Sequence, residues 1–135
     1  MNRSMKIQLV LAVVLLALMC VVVVVPSANA AGPVVTVKVA IRNTNWLSPT
    51  TCTSAYLRTT SGAIIRSGSY SNFWWGPYGC NVTYYSVPSN LTYRFEVNGN
   101  INRTHDRYFS VLFDKYVKQP SNGSTVDLGT ITFYK

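Results

Sequence analysis

The sequence predicts an all-β fold: an antiparallel, Greek-key-type β-sandwich of about seven strands, preceded by an N-terminal hydrophobic signal helix. Three observations lead there. Apolar residues recur at every second position in segment after segment beyond Ala31, and no segment there shows helical periodicity. All nine Tyr, five Phe and three Trp lie after Ala31, among polar positions filled mostly by Ser, Thr and Asn, a mixture suited to pleated surfaces. Turn-forming clusters separate these segments at close to the spacing of roughly 8–12 residues typical of sandwiches, without internal repeats.

The first thirty residues read as an export signal. Arg3 and Lys6 precede an apolar run from Ile7 to Val25, broken only by Gln8, and Pro26-Ser27-Ala28-Asn29-Ala30 supplies the small residues a signal peptidase needs. Cleavage before Ala31 leaves one domain, residues 31–135, that is secreted or displayed on the outer surface. The alternative is an uncleaved anchor, because the run exceeds the usual h-region of roughly 7–15 residues and nearly matches the ~20 of a membrane-crossing helix. Membrane contact is expected only through that segment. Cys20 does not fit a lipidation site, with Met19 before it and five valines after it.

Within the domain, Val35, Val37, Val39 and Ile41 alternate with Thr36, Lys38 and Arg42 and predict the first strand. Asn43 to Thr51, with Pro49, is rich in turn formers. Ala55 to Thr59 predicts a second strand with Leu57 inside and Arg58 outside, followed by a turn at Thr60-Ser61-Gly62 and a return strand over Ala63 to Arg66. Ser67-Gly68-Ser69 then leads into Phe73-Trp74-Trp75-Gly76-Pro77-Tyr78-Gly79, too irregular for a ladder and read as a packed loop. Asn81 to Tyr85, reaching Val87-Pro88, pairs in expectation with Leu91, Tyr93, Phe95 and Val97, which ends at Asn98-Gly99-Asn100. Tyr108 to Val117 carries Phe109, Val111 and Phe113 on one face, and Gln119 to Thr125 is a polar loop. In the last strand Val126 and Leu128 differ in phase from Ile131 and Phe133, and Gly129 between them marks a bulge.

Cys52 and Cys80 are the only cysteines left after the leader, and an oxidising compartment favours a disulfide between them. There is no Cys-x-x-Cys spacing, and His105 is the only histidine, so redox and metal readings are set aside.

The segment from Gly79-Cys80-Asn81-Val82-Thr83-Tyr84-Tyr85 through Ser86-Val87-Pro88-Ser89-Asn90-Leu91-Thr92-Tyr93-Arg94-Phe95-Glu96-Val97 resembles the central hairpin of carboxypeptidase regulatory-like, prealbumin-like (transthyretin-like) modules. Val126-Asp127-Leu128-Gly129-Thr130-Ile131-Thr132-Phe133 is similar to their last strand. Asn90 stands where that family usually has Gly, a position where Asn tolerates the left-handed conformation. The cysteine pair and the Trp74-Trp75 loop are departures. The resemblance implies an accessory, non-catalytic extracellular module that binds or spaces. Some relatives carry Lys-Asn isopeptide bonds, but Lys38 falls on the outward register, so none is expected.

Removing Arg3 and Lys6 leaves ten basic residues against Glu96, Asp106, Asp114 and Asp127, which lowers the net charge from +8 to +6. That excess suits anionic glycans or membrane surfaces through long-range fields. The cations are dispersed, which argues against nucleic acid. No enzyme is expected: His105-Asp106 lacks a positioned nucleophile, and Glu96 reads as an outward partner of Arg94 rather than half of a glycosidase pair. No catalytic residue, metal site or cofactor is assigned.

Binding residues are better represented. Trp46, Trp74, Trp75, Tyr78 and Tyr84 gather amphipathic rings near loops, where they would stack on a glycan or anchor an extracellular protein partner. Asn-x-Ser/Thr acceptors for glycosylation occur at Asn81, Asn90, Asn102 and Asn122. Asn90 and Asn122 fall in turns, whereas Asn81 beside Cys80 is expected to be crowded. The function expected is a non-catalytic binding or structural module. The alternatives are a subunit of an extracellular filament or surface coat, and a small secreted hydrolase or inhibitor.

Overall fold

The computed structural model describes residues 31–101, 107–121 and 124–135. Residues 1–30, where the sequence predicts an export signal, lie outside the described residues, as do Asn102, His105, Asp106 and Asn122.

Among the described residues the chain forms strands and no helix: β1 (Val34–Asn43), β2 (Thr50–Arg58), β3 (Ile64–Ser67), β4 (Ser69–Asn72), β5 (Gly79–Pro88), β6 (Leu91–Ile101), β7 (Arg107–Val117) and β8 (Thr125–Phe133). They make two four-stranded sheets, ordered β4-β5-β1-β8 and β3-β2-β6-β7. The inward residues of each sheet meet in one core, as the period-two pattern dictates. Phe95 lies near its centre, edge-on to Tyr84 at 5.2 Å and stacked on Phe113 at 5.3 Å.

Two features correct the expectation of about seven antiparallel strands. The third passage of the chain is divided: β3 pairs with β2, the chain changes sheets at Gly68, and β4 pairs with β5. Counting β3 and β4 as one passage gives an odd number, so β8 runs in the same direction as β1. It docks beside β1, and the pair is therefore parallel, with Val37 opposite Val126 and Asn43 opposite Phe133.

Three bulges hold the inward phase. The expected one at Gly129 is present, with φ +78° and a register shift against β1 between Lys38 and Ala40, which turns Val126, Leu128, Ile131 and Phe133 toward the same core. A second, in β2 between Cys52 and Ser54, lets Cys52 face inward together with Ala55 and Leu57. A third, near Ser86 (φ 54°), keeps both Tyr84 and Val87 buried. Asn98-Gly99-Asn100 does not end β6 as expected. Gly99 sits opposite Phe109, whose ring lies against it, and the ladder continues to Ile101.

The Cys52–Cys80 disulfide is formed, with a Cα–Cα distance of 6.1 Å, and joins β2 of one sheet to β5 of the other. It is consistent with an oxidising compartment. Asn90 adopts φ 62°, the left-handed conformation expected at its turn.

On the outer face of the second sheet the charge pairs differ from expectation. Glu96 is held by the guanidinium of Arg58 on β2, while Arg94 pairs with Asp114 on β7 at 2.9 Å. Hydrogen bonds from Asn98 and Arg58 pull the Glu96 carboxyl below its ordinary value of 4.5. A depressed folded-state value means that this group stabilises the fold in full above the ordinary glutamate value and loses that contribution as pH falls from there through the lower folded-state value. Denaturant midpoints measured between pH 6 and pH 2 should therefore decline on acidification, and Glu96→Gln should flatten that decline. A midpoint that rises on acidification would contradict the assignment.

Candidate functional site

β1, β4, β6 and β8 run toward one end of the sandwich, and β2, β5 and β7 start from it. This end carries the loops 44–49 and 73–78 and residues Tyr134 and Lys135. Ala31 and Gly32 lie at the opposite end, where Gly32 donates to the Ser89 carbonyl at 2.8 Å.

Every tryptophan of the chain is here. Trp46 is 64% exposed, Trp74 87% and Trp75 80%, and beside them Leu47 is 91% and Tyr134 75% exposed. The two loops touch: a methyl group added at Gly76 would stand 2.7 Å from Trp46 Cε3. Tyr78 is half-buried and lines, with Pro49, Thr50, Thr51, Phe73 and Trp74, a groove of about 230 Å³. The Gly76-Pro77 peptide bond in this loop is cis.

The underside of the site is polar and closed. Asn43, fully buried at the end of β1, uses its whole amide: Nδ2 donates to Thr50 Oγ1 at 3.0 Å and to the Lys135 carbonyl at 3.2 Å, while Oδ1 accepts from Asn45 N at 3.0 Å and Lys135 N at 3.3 Å. Asn45 in turn donates from Nδ2 to the Lys135 carbonyl and accepts from Leu47 N. Asn72 fastens the other loop by accepting from Cys52 N at 2.7 Å and donating to the Cys52 carbonyl at 3.3 Å, next to the disulfide. Arg42 lies 3.6 Å from the centroid of the Phe73 ring and donates to the carbonyls of Ile41 and Cys80. The rings thus stand on a fixed base.

That base gives a direct test. Asn43→Ala removes four hydrogen bonds at once, to Thr50 Oγ1, Asn45 N and the backbone N and carbonyl of Lys135, from a fully buried position, and should lower stability by about 2–3 kcal/mol. Thermal unfolding would read it as a fall of roughly 10 °C or more. A shift within error of the parent would show that the network is dispensable.

Of the rings singled out from the sequence, the structure brings Trp46, Trp74, Trp75 and Tyr78 together. Tyr84 is a correction: it is fully buried on the inner face of β5, its hydroxyl donating to the Glu96 carbonyl at 3.4 Å, and burial pushes its phenol well above the usual range. It belongs to the core because its position shares the inward phase of Val82. Leu47 and Arg42 were missed. The visible signal for Leu47 was an apolar pair, Trp46-Leu47, stranded among turn formers where no strand could bury it.

Among the acceptor asparagines, Asn81 differs from expectation. Asn81 is exposed on the outer side of β5 rather than crowded, although its Oδ1 accepts from Arg42 at 3.4 Å. Asn90 is half-buried, and its Oδ1 accepts from Tyr116 and Gln119 N. Asn102 and Asn122 lie outside the described residues. Among the described residues no group of three or more His, Cys, Asp or Glu side chains is placed to hold a metal ion.

Compared with family models, curated proteins and solved structures, the chain matches none.

Proposed function

We propose that residues 31–135 are a non-catalytic recognition module of prealbumin-like type, delivered outside the cell, whose contact surface is the tryptophan end of the sandwich. One observation carries this reading: three tryptophans and Leu47 are held in solvent by loops that the side chains of Asn43, Asn45 and Asn72 fasten to the scaffold. Large rings kept out of the core on a rigid base lose little freedom on binding and offer much area, the property of interface anchors. The disulfide beneath them and the export-type leader agree with an extracellular setting. Turnover plays no part in this reading, since Glu96 is neutralised by Arg58 and held by Asn98.

The test applies the exported protein to arrayed glycans and extracellular proteins beside Trp74→Ala/Trp75→Ala. Retention that falls at least tenfold in the variant, with an unchanged far-ultraviolet spectrum, supports the reading. Retention indifferent to the variant, or steady product release from a panel of esters and glycosides, overturns it.

The filament or coat reading is favoured by a different observation. β7 is an edge strand of 11 residues with Tyr108, Leu112 and Tyr116 exposed, a surface open to pairing with another chain. Concentration-dependent growth in mass, abolished by Leu112→Lys, would select it.

A further inference from the structure

We propose that the tryptophan end is a wedge for anionic lipid bilayers, entering the headgroup layer with Trp46, Leu47, Trp74 and Trp75. The inference rests on the reading of this end as the contact surface and names its partner. Three features of the site set the partner's chemistry.

The first is what faces outward. A saccharide site combines rings with free hydrogen-bonding side chains, since each sugar hydroxyl taken from water needs a partner. Here Asn43, Thr44, Asn45, Thr50 and Asn72 all spend their side-chain groups on backbone or on one another. The most exposed of the large apolar side chains, Leu47, is aliphatic and 91% exposed. Indole rings with an aliphatic tip match the bilayer interface, where tryptophan prefers the headgroup level and leucine the acyl boundary.

The second is charge. Arg42, Arg107 and Lys135 stand at this end, and Lys135 Nζ donates to the Tyr108 carbonyl at 3.4 Å, beside the exposed ring. The described acidic side chains are all elsewhere. Glu96 is five residues back from the end of β6, roughly 17 Å at strand rise, and is paired with Arg58. Asp114 lies beyond the middle of β7, and Asp127 is near the far end of β8. An apolar tip flanked by the side chains of Arg42, Arg107 and Lys135, with the described acidic side chains set back, complements a negatively charged leaflet.

The third is direction. β1 runs from Val34 near the entry of the domain to Asn43 beneath the rings, so the wedge points away from whatever precedes Ala31. A chain retained by residues 7–25 would therefore offer the rings to an opposing surface, and a released one to any anionic bilayer.

The experiment uses the only three indoles of the chain as its reporter, so leader binding to lipid does not mimic the signal. The exported protein is titrated with unilamellar vesicles of phosphatidylcholine alone or with about one-third phosphatidylglycerol. The expected result is a blue shift of tryptophan emission with the anionic vesicles, quenching by acyl-brominated lipid, and partitioning weakened at least tenfold by Leu47→Asp or by raised salt. Emission unmoved by anionic vesicles, or partitioning indifferent to Leu47→Asp, overturns the inference. If vesicles have no effect while arrayed ligands are still lost with Trp74→Ala/Trp75→Ala, the lipid partner is wrong and the contact surface stands. If neither binds, both fall.

Discussion

Gly79→Ala is expected to destabilise the fold severely. Gly79 begins β5 opposite Arg42 with φ +151°, and a Cβ there would lie 1.9 Å from the Ile41 carbonyl oxygen, 2.8 Å from its carbon and 3.1 Å from Arg42 Cα. All three are backbone atoms of the neighbouring strand, so no side chain can swing aside. The β1–β5 ladder must part at the point where Cys80 anchors the bridge and Phe73 N donates to the Gly79 carbonyl at 2.9 Å. A loss of about 4 kcal/mol or more is expected, a large share of the roughly 5–15 kcal/mol of a typical domain. Gly129→Ala is the control. It has φ +78° but nothing within 4 Å of the added carbon, so only the backbone preference of about 1–2 kcal/mol is lost. Urea unfolding of the two variants side by side decides: equal, modest shifts would refute the steric account.

Removing the bridge comes next in size. Cys52→Ala/Cys80→Ala frees a loop spanning 28 residues, worth roughly 3–4 kcal/mol in the chain-entropy model. Both sulfurs are buried, so each truncation also removes core volume. The oxidised protein, its reduced form and the double variant should rank in that order of urea midpoint. Amide exchange at Cys52, which donates to Asn72, should quicken in both bridge-free forms. Coincident midpoints before and after reduction would show that the bridge contributes nothing.

The inner face of the sandwich was legible because one periodicity generates it. Val35, Val37, Val39, Ile41, Tyr93, Phe95 and Val97 are buried as their alternation requires, and the bulge at Gly129 was readable because an apolar phase slip flanked a glycine. The β2 bulge had no such mark. Thr50 to Arg58 offers Thr and Ser where the phase changes, so the strand was read only from Ala55 and the turn before it was drawn too long. β4 was missed because Ser69–Asn72 contains one apolar residue, Tyr70, and is an edge strand held by its pairing with β5. The direction of β8 depends on the parity of passages through the sandwich, a global property that no local pattern encodes.

The site was half legible. Trp46, Trp74, Trp75 and Tyr78 were found because large rings in loops stand out from a strand pattern. Tyr84 was misplaced because Tyr84-Tyr85 gives two adjacent rings of which only one can face inward, and the choice follows from pairing with Val37. The base under the rings was invisible, since Asn43 becomes a four-bond hub only when Lys135 is brought beside it.

The parallel pairing of β1 with β8 also governs how the protein comes to exist. Thr36 aligns with Thr125 and Asn43 with Phe133, so the earliest strand to emerge from a ribosome or a translocation channel waits for the latest before its sheet closes. During that wait the flank of β1 that β8 will cover presents unpaired amides and carbonyls alongside Val37, Val39 and Ile41, an adhesive profile for neighbouring nascent chains. Closure over so long a span is slow compared with hairpin formation. Biogenesis, more than equilibrium, is thus where this architecture is vulnerable: truncation before Thr125 would yield an aggregation-prone fragment with an open edge rather than a smaller working domain.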